Sequence, residues 1–157
     1  MTPVFQTIVD DKHGDCLRAA FASILDLPLE EVPNFSWEYE EDHRGSDVPG
    51  PQQKWLTDRG LYELELWMND VSEDTYNHLC AIACSTANLG PVYALGCLPS
   101  QRYPDKSHAV VIRINGYKKT PWVEVVHDPN AMNAPYDLNK VRFRSISFII
   151  KHFEDDI

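Results

Sequence analysis

The stretch that decides the fold runs from His108 to Asn130 and reads HAVVIRINGYKKTPWVEVVHDPN. Two runs rich in Val and Ile, HAVVIRI and WVEVV, flank a turn-forming segment with Asn115-Gly116, which is typical of a β-hairpin. In an antiparallel hairpin the start of the first strand lies beside the end of the second. The pattern therefore predicts that His108 and Asp128 are neighbours in space.

Three other segments predict the remaining strands of a sheet. PVYALGC and RFRSISFIIK are rich in Val, Ile and aromatic residues, like the two strands of the hairpin. LYELELWM alternates, which predicts a half-buried strand. Its buried face would carry Tyr62, Leu64, Leu66 and Met68, and its other face Glu63 and Glu65.

Helical patterns precede the sheet. The stripe Leu17, Ala20, Phe21, Ile24 and Leu25 predicts a helix from Cys16 to about Asp26, with Asp15 as its N-cap. PQQKWLTDRG and SEDTYNHLCAIACSTANLG predict two more helices, the second capped by Ser72. We therefore expect a single α+β domain over residues 1–157, in which an N-terminal helix packs on an antiparallel sheet of four to five strands.

Composition narrows the classes of partner and the compartment. The chain of 157 residues has 14 Lys and Arg against 24 Asp and Glu, a net charge of −10, which argues against a nucleic-acid partner. No basic segment with an apolar core opens the chain, and no apolar run is long enough for a membrane span. A cytoplasmic location is expected, with the four cysteines as thiols.

The stretch 12–25, KHGDCLRAAFASIL, places Cys16 directly after the expected N-cap. A thiol is a useful nucleophile only as thiolate, which a helix N-terminus or an adjacent imidazolium favours. Backbone N–H groups near Gly14, Asp15 and Cys16 could also stabilise an oxyanion there. A buried helix cysteine is the competing interpretation, because free Cys is often buried.

A thiol nucleophile needs a base and a group that orients the base. His108, at the start of a strand after a polar loop, is the best candidate base, and Asp128 its orienting partner. Asp128 is also typical of the start of a turn before Pro, and the two roles are compatible. His127 should point to the opposite face of its strand, whereas His13 and Asp15 could line the cleft beside Cys16.

Two further groups of residues have competing interpretations. His78, Cys80, Cys84 and Cys97 lack the paired spacing of structural zinc sites, so buried thiols are expected, with no metal and no cofactor. Ser100, Gln101 and Arg102 precede His108 in a loop and could contact substrate. An Arg there is suited to a carboxylate or phosphate, but a solvated loop is the preferred interpretation.

The order Cys, His and Asp resembles that of papain-like thiol hydrolases, including bacteriocin-processing peptidases. The blocks GDCLRAAFASILDLPLEEVPNF, YALGCLPSQRYPDKSHAVVI and VHDPN are similar to those of small phage and bacterial proteins with papain-like architecture. The resemblance implies a Cys16–His108–Asp128 triad and a Gln oxyanion donor upstream of the Cys. Gln6 is the candidate, although Asp10 stands where the closest spacing would place it.

These features predict a cytoplasmic thiol hydrolase, in the host cytoplasm if the protein is phage-encoded. The substrate would be a peptide, a protein or a small molecule with an amide, isopeptide or other acyl bond. If an amine replaced water, the same triad would make an acyltransferase. The alternative is a non-catalytic binding or inhibitor protein on the same fold, which would use its acidic surface and the loops at 34–50 and 98–107.

Overall fold

A computed structural model of the chain describes residues 1–35 and 51–151. The acidic stretch 36–50, expected to be an exposed excursion, lies outside the described residues. The elements in chain order are α1 (Cys16–Leu25), a 3₁₀ turn (Leu29–Glu31), α2 (Pro51–Thr57), β1 (Leu61–Trp67), α3 (Glu73–Ser85), β2 (Val92–Pro99), β3 (Ser107–Ile114), β4 (Val123–His127) and β5 (Ser145–Lys151).

The five strands form one antiparallel sheet in the order β1-β5-β2-β3-β4. The last strand therefore lies between β1 and β2, and β4 forms one edge. The N-terminal helix α1 contacts β2 and β3 near the centre of the sheet. The expected α+β architecture, with an N-terminal helix on an antiparallel sheet of four to five strands, is confirmed.

The sheet has a hydrophobic core on each face. On one face α1 and α2 contribute Phe21 and Leu56, which are fully buried in one cluster with Leu95 and Val111. On the other face α3 packs through a cluster that includes Ala83 and strand residues such as Ile112. Ser72 caps α3 as expected, because its side chain accepts a hydrogen bond from the Thr75 N–H.

The prediction for β1 is right for only half of its apolar face. Tyr62 and Leu64 are 52% and 46% exposed, whereas Glu63 and Glu65 are partly buried. β1 is an edge strand. Its face with Glu63 and Glu65 lies toward α2 and toward the second of the two cavities described below. Only Leu66 and Met68 reach the core under α3.

The helices formed by residues 1–35 and 51–151 are short. The longest, α3, has 13 residues, and none is both long and apolar enough to cross a membrane.

Candidate active site

The hairpin brings His108 and Asp128 together as the sequence predicts. His108 Nε2 lies 2.6 Å from Asp128 Oδ1, and the imidazole is buried at the start of β3. His127 instead bonds the Val4 carbonyl oxygen through its Nε2 at 2.8 Å, away from this pair. The hairpin thus gives the two candidate histidines different partners. His108 pairs with the Asp128 carboxylate, and His127 pairs with the N-terminal segment.

A β-bulge in β4 determines this arrangement. Ile112 pairs with Val125, but the next pair along the ladder is Val111 with His127. If the first register continued, Asp128 would fall opposite Ala109 and would point away from His108, because side chains alternate between faces. The extra residue shifts the register by one and places the Asp128 side chain on the same face as His108.

Cys16 is the second partner of the His108 ring. Cys16 lines the same cleft as His108, and the thiol helps to raise the pKa of the imidazole. Since Nε2 faces Asp128, Nδ1 is the ring nitrogen available to accept a proton from Cys16. Burial of the ring opposes its charged form, but hydrogen bonds with Asp128 and Cys16, and the charges of both, outweigh burial and raise the pKa of His108 to about 9. The imidazole therefore holds a proton readily at neutral pH.

A network of polar groups holds the Asp128 carboxylate in place. Oδ1 also accepts the backbone N–H of Asn130 at 2.8 Å, and Oδ2 accepts Nδ2 of Asn133 at 3.0 Å. Burial alone would raise the pKa of the Asp128 carboxyl, but hydrogen bonds from His108 and Asn133 hold it below its usual range. Asp128 therefore combines both expected roles, starting the turn and orienting the imidazole.

Tyr136 covers the pair from the following segment, and the sequence did not indicate it. Its ring stacks on His108 at 6.4 Å between centroids and 19° between planes. Its hydroxyl donates to the Pro99 carbonyl oxygen at 3.1 Å, and burial raises the pKa of Tyr136 well above its usual range. Asn133 and Tyr136 lie beyond the recognisable strand pattern, so only the preceding turn signal DPN pointed to this segment.

Asp15 stands at the N-cap position of α1, but its side chain makes no capping hydrogen bond. The carboxylate is fully buried and turns back to the N-terminal segment, where it accepts the backbone N–H groups of Thr7 and Ile8 at 2.9 and 2.8 Å. It also accepts the Thr7 hydroxyl at 2.9 Å, and Arg18 Nη1 lies at 3.8 Å. Asp15 thus closes the loop before Cys16 and does not line the cleft, contrary to its predicted place there.

This loop closure gives Gln6 access to the cleft despite its ten-residue distance from Cys16. The Gln6 side chain lines the same cleft as Cys16 and His108. Its Nε2 donates to the Ile8 carbonyl oxygen at 3.0 Å, which uses one of the two amide hydrogens. Within the described part of the chain its Oε1 is buried and has no hydrogen-bond partner.

The cleft beside Cys16 has a volume of about 230 Å³. Ser100 and Arg102 line it, as expected for possible substrate contacts, and so does Asn133. His13 is not among the described residues that line it, contrary to prediction, and its carbonyl oxygen accepts Nδ2 of Asn34 at 3.0 Å.

A second cavity of about 260 Å³ opens on the other side of Cys16, over the surface of the sheet. Glu63 and Glu65 of β1 and Cys97 of β2 line it. Burial raises the pKa of Glu63, whose Oε2 accepts Nε2 of Gln52 at 3.3 Å. The two cavities meet at Cys16, so an extended molecule has room on both sides of the thiol.

The other cysteines are thiols as well. Burial raises the pKa of Cys80, Cys84 and Cys97, so all three are poor nucleophiles at neutral pH. Among residues 1–35 and 51–151 no three or more His, Cys, Asp or Glu side chains are grouped to hold a metal ion. The zinc alternative for His78 and these cysteines therefore has no support within those ranges.

No family model, curated protein or solved structure matches the chain. The candidate site consists of a thiol at the start of a helix, a buried imidazole and a carboxylate, and it lies at the junction of two cavities.

Proposed function

We propose that this protein is a cysteine-dependent hydrolase of an amide, isopeptide or other acyl bond, on a papain-like arrangement of one helix and one sheet. One observation carries the proposal: the buried His108 ring pairs with the Asp128 carboxylate at 2.6 Å and lines the same cleft as the Cys16 thiol. This is the minimum set for nucleophilic catalysis by a thiol. Four free cysteines suit a reducing compartment, which supports a cytoplasmic location.

In this proposal His108 Nδ1 accepts the Sγ proton and the thiolate attacks the carbonyl carbon of the substrate. The tetrahedral intermediate collapses, His108 gives the proton to the leaving amine or alcohol, and the acyl group remains on Sγ as a thioester. Water then attacks the thioester while His108 takes its proton, and collapse restores the thiol and releases the acid. Asp128 stabilises the imidazolium and fixes its tautomer throughout.

Two groups are available to stabilise the oxyanion of the intermediate. The backbone N–H of Cys16 is in the first turn of α1, where N–H groups have no partner within the helix. The second Nε2 hydrogen of Gln6 is the other donor, because Gln6 lines the cleft. A pair of such donors is the usual requirement for acyl transfer.

Selective alkylation tests the proposal. Iodoacetamide at pH 6, followed by peptide mapping, should modify Cys16 at least tenfold faster than Cys80, Cys84 or Cys97, because an activated thiolate reacts and a buried thiol does not. His108→Gln, which removes the base but keeps a polar side chain, should abolish the selectivity.

Equal or no reactivity at Cys16 would overturn the enzyme proposal and favour a binding protein on this fold. Where Cys16 is selective, an acyl-thioester trapped with a generic thioester substrate separates the remaining alternatives. Release of the acyl group by water at a rate unaffected by added amines supports hydrolysis. Release that depends on an added amine supports the acyltransferase alternative.

A further inference from the structure

Three basic side chains line the cleft beside Cys16: Lys12, Arg102 and Lys106. All three are exposed, and within residues 1–35 and 51–151 none forms an ion pair with a carboxylate. They come from two separate segments, the loop before α1 and the loop between β2 and β3. The fold, not a basic run of sequence, therefore collects them next to the thiol.

This grouping is unusual for a chain of net charge −10. Of the ten other Lys and Arg side chains in residues 1–35 and 51–151, five have a carboxylate partner, such as Lys54 with Asp58, Arg113 with Glu124, Lys140 with Asp137 and Arg142 with Glu73. Gathering like charges without partners costs free energy, which an anionic ligand would offset.

Two acidic residues, Asp10 and Asp11, also line the cleft. The Asp10 carboxylate is already engaged, because its Oδ1 accepts the backbone N–H groups of Lys12 and His13. Three positively charged side chains thus line the cleft together with two negatively charged ones. One of these two carboxylates, Asp10, is already hydrogen-bonded to its own loop. The cleft keeps an excess of positive charge within a chain of opposite sign.

Arg102 is the best placed of the three to recognise a planar anion. Its guanidinium lies 5.5 Å from the centroid of the Tyr103 ring. Tyr103 is held in the loop, since its backbone N–H donates to Ser100 Oγ at 3.2 Å. A guanidinium oriented against an aromatic ring presents its N–H fork to a carboxylate in two parallel hydrogen bonds.

We propose that this cleft is a subsite for a carboxylate of the substrate, recognised by Arg102 with Lys12 and Lys106. The inference rests on the proposed function, since it assigns the group next to the bond that Cys16 attacks. The substrate class is then an amide or isopeptide with a free carboxylate a few atoms from the reacting carbonyl, such as an acidic side chain or a terminal carboxyl group.

Two alkylating reagents of nearly identical shape test the subsite. N-iodoacetylglycine carries a carboxylate four atoms from the reacting carbon, and N-iodoacetylglycinamide is its neutral counterpart. We expect the anionic reagent to modify Cys16 about fivefold faster than the neutral one at low ionic strength, the effect of about 1 kcal/mol of exposed charge pairing. The preference should fall in high salt.

The variants Arg102→Gln and Lys106→Gln should each reduce this rate ratio, with the larger loss for Arg102→Gln. Lys119→Gln, which removes the same charge from the β3–β4 turn at the far end of the hairpin, should leave it unchanged. A ratio near one in the wild type, or an equal loss in Lys119→Gln, overturns the subsite. If neither reagent selects Cys16 over Cys80, the proposed thiol chemistry itself fails.

Discussion

The base side and the nucleophile side of the candidate site are built differently. On the base side, His108 and Asp128 lie on paired strands, and the segment after β4 adds one hydrogen bond to each carboxylate oxygen of Asp128. On the nucleophile side, the loop before Cys16 is held mainly by one buried carboxylate, Asp15. Gly14 lets this loop close, because an added Cβ would lie 2.8 Å from the Asp10 carbonyl oxygen.

The base side of the site is therefore held by a rigid sheet, and the nucleophile side is held by a loop. A sheet fixes the relative position of the base and its orienting group through many backbone bonds. The loop brings Gln6 and Cys16 together through few side-chain bonds. Single substitutions should therefore damage chemistry on the base side and folding on the nucleophile side.

The largest effect is expected for His108→Ala on the base side. Loss of the proton acceptor should lower the rate of Cys16 alkylation by iodoacetamide at pH 6 by about 10²- to 10³-fold, in line with the usual effect of a positioned base. Stopped-flow or mass-resolved alkylation measures it. A loss smaller than tenfold would show that His108 does not activate the thiol.

Asp15→Ala should have the largest effect on stability. The substitution removes three hydrogen bonds to Thr7 and Ile8 and leaves Arg18 without its carboxylate, so we expect a loss of about 3 kcal/mol. Ser72→Ala, which removes an exposed N-cap, should cost only about 1 kcal/mol. Urea unfolding measures both, and equal losses would refute a special role for Asp15.

Gln6→Ala should separate acylation from alkylation. Attack on p-nitrophenyl acetate forms an oxyanion, so the burst rate should fall by about 10²-fold if Gln6 is a donor. Alkylation by iodoacetamide forms no such anion and should change less than twofold. A parallel loss in both reactions would mean that Gln6 supports the loop and not the oxyanion.

The stability of the protein should depend on the protonation of His108. Because the pKa of His108 is raised from about 6.5 to about 9 on folding, its contribution is complete below pH 6.5 and disappears as pH rises through about 9. The free energy of unfolding should therefore decrease over this range by about 3 kcal/mol more in the wild type than in His108→Gln. Urea unfolding at pH 6 and pH 9.5 tests this, and identical slopes would refute it.

The smallest effect is expected for Tyr136→Phe. The variant keeps the ring stacked on His108 and removes only the hydroxyl that donates to Pro99, at a cost of about 1 kcal/mol. Its alkylation rate should remain within twofold of the wild type. A large loss of reactivity would show that the Tyr136 hydroxyl contributes to the chemistry in addition to the stacked ring.

Much of the architecture could be predicted from local patterns. The hydrophobic stripe and the expected N-cap placed α1 within a residue of its observed bounds, and alternation and composition located all five strands. The turn signal at Asn115-Gly116 made His108 and Asp128 neighbours. These features depend on repeats of about two or 3.6 residues and on short turns, which the sequence carries directly.

Other features depend on contacts between distant segments. The sequence did not indicate which part of the apolar face of β1 is covered by the core, so the exposure of Tyr62 and Leu64 was not predicted. Asp15 was expected to cap its own helix, but in the folded chain its carboxylate instead accepts hydrogen bonds from the backbone N–H groups of residues 7 and 8. Neither outcome follows from spacing, because both require knowing which segment lies nearby.

Local sequence patterns are sufficient to predict a thiol at the start of a helix and an imidazole and a carboxylate at one end of a hairpin. That the three side chains lie at one site depends on long-range packing. The bulge in β4 turns Asp128 toward His108, and the packing of α1 on β2 and β3 brings Cys16 to the same ring. The physical reason is that side-chain direction in a sheet changes with a register shift of a single residue, which no local pattern records.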